Sequence, residues 1–104
     1  MIRVRFYTEG EELSGFRITG HAGAGAAGED IVCAAVSSVA YMTANTVTDV
    51  LNVPAAITVE EGLMDLRLTE GLSECRTLLC GFLMHMQALQ EEYPTRIQLM
   101  NTEV

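Results

Sequence analysis

The sequence contains no lysine. All six of its basic residues are arginines, against 14 acidic ones, and the net charge is −8. Such a balance repels nucleic-acid phosphates, which need basic patches, and speeds encounter with a basic partner. Direct nucleic-acid binding is therefore not expected. Cysteine is scarce as well: there are three, an odd number, and none forms a Cys-x-x-Cys pair. A disulfide framework is not expected, and reduced thiols suit a cytoplasmic location. No apolar run reads as long enough to cross a bilayer. Met1 to Phe6 alternates like a strand instead of opening a signal peptide. No membrane partner is expected. No linker or low-complexity stretch divides residues 1–104, so a single domain around one core is the expectation.

Nearly half the residues are apolar, and their spacing sets out the elements. Ile2, Val4 and Phe6 alternate with Arg3, Arg5 and Tyr7, and Phe16, Ile18 and Gly20 with Arg17, Thr19 and His21. Two strands joined by the turn Glu9-Gly10-Glu11 make a hairpin. A helix follows from about Ile31 to Leu51, with Asp30 as its N-cap. Small apolar residues on most of its sides imply burial or cover by a second subunit. Ile57 and Val59 begin a third strand, and Met64, Leu66 and Leu68 mark a fourth. Leu72, Cys75, Leu79, Phe82, Met86 and Leu89 recur at three- and four-residue steps in a second helix that Pro94 stops. Ile97 and Leu99 suggest a last short strand. The order ββαββαβ predicts an α+β fold with a mainly antiparallel sheet. Outward polar residues on strands one, two and four place both helices on one face.

The unusual stretch is Gly20 to Cys33, GHAGAGAAGEDIVC. His21 ends a strand, and Cys33 falls in the expected first helical turn. Unpaired N–H groups and the positive dipole end there favour a thiolate. An imidazole within reach can take the thiol proton, and the open N–H groups can hold an oxyanion. Between the two lies a loop without bulk, including Ala22, Gly23, Gly25 and Gly28, which could order over a substrate. Asp30 has two possible roles, helix cap or orienting group for His21, and its charge as a cap would oppose a thiolate. Ser37, one turn beyond Cys33, could donate to substrate, although such a serine more often bonds its own helix carbonyl. The bland alternative is that Cys33 is a small core residue and His21 a polar residue at a sheet edge.

Two other patterns carry less. Gly23 to Gly28 spells G-x-G-x-x-G, but Glu29 and Asp30 would face the pyrophosphate, and the chain is short for a dinucleotide fold. Cys75, Cys80 and His85 are five apart on one helix, so they diverge and do not make a metal site; both thiols are read as core residues. No cofactor and no metal are expected.

The run Gly20-His21-Ala22, Gly28, Asp30-Ile31-Val32-Cys33-Ala34 and Ser37 resembles the signature of the ribosomal-processing cysteine proteases, the Prp family. The likeness extends over most of the chain, including Glu91-Glu92-Tyr93 and Ile97. The resemblance implies a small cytoplasmic cysteine endopeptidase that trims an N-terminal extension from a large-subunit ribosomal protein. It implies a His-Cys dyad at His21 and Cys33, supporting positions at Asp30 and Ser37, a flexible glycine-containing loop and a homodimer. An acidic enzyme suits a basic ribosomal protein precursor. The competing expectation is a non-catalytic acidic dimer that binds such a protein or an assembly factor.

Overall fold

The computed structural model describes residues 1–20 and 31–104 in full, and the backbone of 27–30. The elements are β1 (Ile2–Glu9), β2 (Glu12–Thr19), α1 (Ala27–Asn45), β3 (Ala55–Glu60), β4 (Leu63–Leu68), α2 (Leu72–Glu92) and β5 (Ile97–Glu103). This is the expected ββαββαβ order. The five strands form one sheet in the order β3-β4-β2-β1-β5. Neighbours are antiparallel except β1 and β5, which run parallel from the Ile2–Ile97 pair onward.

Strand alternation decides what each face carries. Ile2, Val4 and Phe6 of β1, Phe16 of β2 and Met64, Leu66 and Leu68 of β4 turn inward and are buried. Both helices lay their apolar stripes on this face. From α1 come Val32, Val36, Ala40 and Ala44; from α2 come Cys75, Leu79, Phe82, Met86 and Leu89. Phe82 ties the layers together. Its ring lies 4.4 Å from that of Phe16 and 5.8 Å from that of Phe6, the latter edge-on. Among the described residues, no helix lies on the opposite face of the sheet.

That open face holds two residues that alternation alone would leave in water. Tyr7 and Asp65 are both buried. The Tyr7 hydroxyl donates to Asp65 Oδ2 at 2.5 Å, and Arg17 and Arg67 clasp the same carboxylate at 3.1 and 3.2 Å. Arg67 also lies 4.3 Å from the centre of the Tyr7 ring. A carboxylate withdrawn from water is tolerated because its oxygens are matched by charged and neutral donors.

The first helix differs from expectation at both ends. It starts at Ala27, four residues before Ile31, so Asp30 and Gly28 lie inside it. Asp30 is therefore not the N-cap, and Gly28 is not part of a loop. At the other end the α-helix stops at Asn45, and Thr46–Val50 forms a π-helical turn. There Leu51 donates to the Thr46 carbonyl at 2.9 Å. Asn52, with φ of 56°, then turns the chain toward β3. By length and composition Ile31–Val50 could cross a bilayer, contrary to the sequence reading. Here its inner stripe is part of the sheet's core. Its outer side exposes Ile31, Tyr41, Met42 and Val50.

Candidate active site

Cys33 is half-buried on α1, where the helix passes β1, β2 and the β3–β4 hairpin. An open cleft of about 260 Å³ lies beside it. Its helix wall is Cys33, Ser37, Ala40 and Tyr41, and its opposite wall includes Ile18, Val59, Leu63 and Met64. Positions 33, 37 and 41 are one α-helical turn apart, so one stripe of α1 presents a thiol, a hydroxyl and an aromatic ring in a row. Apolar side chains dominate the lining, with Glu60 contributing charge at the hairpin end.

Gly20, which immediately precedes His21 in sequence, also lines this cleft. Its N–H donates to the Gly62 carbonyl at 3.0 Å, fastening the end of β2 to the β3–β4 turn. Its φ is +89°, and a Cβ there would stand 2.3 Å from the Met1 carbonyl oxygen. Glycine is required where the chain turns this closely past the start of β1. His21, Ala22, Gly23 and Gly25 lie outside the described residues.

The position of Cys33 in its helix corrects one part of the chemistry. With α1 beginning at Ala27, Cys33 is its seventh residue, in the second turn and not the first. The N–H of a residue at that depth bonds the carbonyl four residues back. Among the described residues, the open N–H groups belong to residues 27–29. The dipole effect fades within the first turn, so the helix terminus is a weaker source of thiolate stabilisation than the sequence suggests. Helical side chains lean toward the N-terminus, which still tilts the Cys33 sulfur toward the turn that carries those donors.

Ser37 is exposed, and its hydroxyl makes no hydrogen bond among the described residues. In this it differs from Thr43, Thr46 and Thr48 farther along, whose hydroxyls donate to carbonyls four residues back at 2.7, 2.7 and 3.2 Å. The side chain of Asp30 lies outside the described residues. Cys75 is buried beneath α2, where burial, reinforced by the charge of Glu74, pushes its thiol up. Cys80 is exposed, not a core thiol as expected from sequence, and His85 is exposed as well. The helical period carries residues five apart around the axis, and Cys80 falls outside the buried stripe.

Sequence reasoning did not find the far wall of the cleft. One signal was present: Tyr41 is a large aromatic in a helix otherwise built from small residues, two turns from Cys33. A second is β3, whose Ile57 and Val59 stay 39% and 49% exposed at the sheet edge. They pair with the inward residues Leu66 and Met64, yet neither is buried among the described residues.

Comparison with known proteins identifies the family and the fold. The family model of the cysteine protease Prp matches residues 1–98. Among solved structures, the chain superposes on SMU.848 from Streptococcus mutans with a TM-score of 0.91 and 28% identity, over 100% of this chain and 96% of that one. It also superposes on the ribosomal processing protease Prp from Staphylococcus aureus in complex with a substrate peptide. That match has a TM-score of 0.88 and 26% identity, over 98% of this chain and 100% of the other. The same S. aureus protease with a covalently linked product peptide matches with a TM-score of 0.86 and 26% identity, again over 98% and 100%. No curated protein matches by sequence.

Proposed function

The chain belongs to the Prp family of cysteine proteases, and from that premise we propose that it is a ribosomal-processing endopeptidase working through Cys33 and His21. The observation that carries the proposal is the position of Cys33: it stands on the wall of an open cleft with Gly20, the residue before His21, across from it. Cys75, by contrast, is sealed in the core.

In the proposed reaction His21 takes the thiol proton, and the Cys33 sulfur attacks the scissile carbonyl. The carbonyl π electrons move onto oxygen, where open N–H groups at the start of α1 are the donors nearest in the chain. Collapse of this intermediate breaks the C–N bond, and the imidazolium returns its proton to the departing amine. Water then attacks the thioester, with His21 as base, and releases the acid and the free thiol. Losing the cap role leaves Asp30 with the orienting role toward His21, and Ser37 has a hydroxyl not committed to its own helix. Activation rests mainly on His21, because the helix terminus lies a turn away.

The substrate in this reading is the N-terminal extension of a basic large-subunit ribosomal protein. Two observations support it. A structural relative is a ribosomal processing protease seen with substrate and product peptides, and the net charge of −8 favours encounter with a basic protein. The cleft's apolar lining suits an uncharged stretch of that extension. We place the enzyme in the cytoplasm, where ribosomal proteins are made, and read it as a homodimer. Ile31, Met42 and Val50 of the α1 segment, together with Ile57 of β3, are exposed apolar residues outside the cleft that a second copy would cover. The alternative of a non-catalytic binding module gives way to the family assignment.

Incubation of the protein with precursor ribosomal proteins, followed by intact-mass measurement, tests the reading. The expected result is one shortened large-subunit protein that begins at a new N-terminus. Unchanged masses across the set would contradict it.

A further inference from the structure

The net charge of −8, which weighs against nucleic-acid binding by the molecule as a whole, conceals a segregation of charge. Of the six arginines, Arg3 and Arg5 on β1, Arg17 on β2 and Arg67 on β4 occupy alternate positions on the open face of the sheet. Asp65 balances part of this charge through Arg17 and Arg67. Arg3 and Arg5 have no ion pair among the described residues; Arg5 only points Nη2 at the Met100 sulfur, 3.2 Å away. Arg5 stands directly opposite Arg17 across the β1–β2 ladder. Facing like charges weaken a strand pair, so an anion laid over them relieves a repulsion built into the sheet. Arg3, Arg5 and Arg17 converge with Thr19 and Met100 on a hollow of about 120 Å³.

From this arrangement we infer that the open sheet face binds the phosphate backbone of RNA, holding the protease on a ribosomal particle while the helical side of the molecule cuts protein. The choice of RNA over DNA rests on the ribosomal reading above; the choice of phosphate rests on the face itself. An acidic peptide fits less well. β1 and β2 are interior strands with both edges already paired, so no ladder is open to strand addition. The hollow is lined by guanidinium groups, a hydroxyl and a thioether, without an apolar pocket to anchor a side chain. Guanidinium forks match phosphate oxygens in pairs. The face's aromatic ring, Tyr7, is buried under Arg67 and cannot stack on a base, so the contact reads the backbone and not the sequence.

The test is fluorescence anisotropy of a labelled oligouridylate over a salt series, using the wild-type chain and the double variant Arg3→Ser/Arg5→Ser. Three arginines on single-stranded phosphate give a log–log salt slope of about −2, which falls to about −0.7 when two are removed. Affinity at low salt drops by about ten-fold or more in the double variant. Arg76→Ser on α2, which removes a cation from elsewhere on the surface, leaves the isotherm unchanged. Absence of binding at low salt, equal binding by the wild-type and double-variant chains, or stronger binding to polyglutamate than to the oligouridylate would overturn the inference. Precursor processing in free solution, measured in parallel, is expected to be unchanged in the double variant, so a failure of the RNA face and a failure of the processing reading are seen separately.

Discussion

Cys33→Ala abolishes proteolysis, lowering kcat/KM by about 10⁴-fold or more, the scale seen when the nucleophile of a catalytic pair is removed. The substitution deletes the one atom that forms the covalent bond. Cys33 is half-buried at the cleft wall, outside the fully buried set that holds the sheet to the helices. Alanine is also a good helix former. Stability should therefore change by no more than about 1 kcal/mol. Peptide turnover and a thermal melt on the same sample separate lost chemistry from lost fold. Activity within ten-fold of the wild type, in a variant that melts normally, would remove Cys33 from the mechanism.

The largest expected loss of stability comes from a residue far from the cleft. Gly15 sits on β2 between Tyr7 on β1 and Arg67 on β4. Its φ is +155°, and a Cβ there would stand 2.0 Å from the backbone oxygen of Leu66. No side-chain rotation relieves a clash with main chain, so β2 and β4 would have to separate at their pairing. The lack of a side chain at Gly15 also lets Arg67 cross to the Tyr7 ring and the Asp65 carboxylate. Gly15→Ala thus strains the backbone and displaces the buried polar network around Asp65 on the open face. We expect a loss of about 4 kcal/mol or more, corresponding to a melting temperature lower by about 15 °C or more. A circular-dichroism melt displaced by less than about 4 °C would show that the sheet absorbs the extra carbon.

The architecture was legible where periodicity was strong. The α2 stripe from Cys75 to Leu89 is buried as its spacing implies, and the alternation on β1 separates Val4 and Phe6 from Arg3 and Arg5. Features that depend on distant partners were not legible. The parallel pairing of β5 with β1 joins the two ends of the chain, and nothing local specifies it. Asp65 reads as an ordinary outward strand residue, because its burial depends on Arg17, some fifty residues earlier in the chain. The start of α1 was misplaced because Asp30 resembles a cap, while the alanines and glycines before it carry no apolar period. That error displaced the site's chemistry as well: it placed Cys33 beside open N–H groups that the helix puts a turn away. The residues of the cleft's far wall come from four strands and carry no motif.

The account's central claim is that His21 activates the Cys33 sulfur, and the protein contains its own references for testing it. Cys80 is exposed and sets the rate of an unassisted thiol; Cys75, buried with its thiol pushed up, stays protonated at neutral pH and reacts more slowly still. The measurement is the iodoacetamide alkylation rate of each cysteine near neutral pH, resolved by peptide mass, in the wild type and in His21→Ala. The account predicts that Cys33 in the wild type outpaces Cys80 by about ten-fold or more and that His21→Ala removes the advantage. Equal rates at Cys33 and Cys80 in the wild type, or a fast Cys33 that persists without His21, would contradict it.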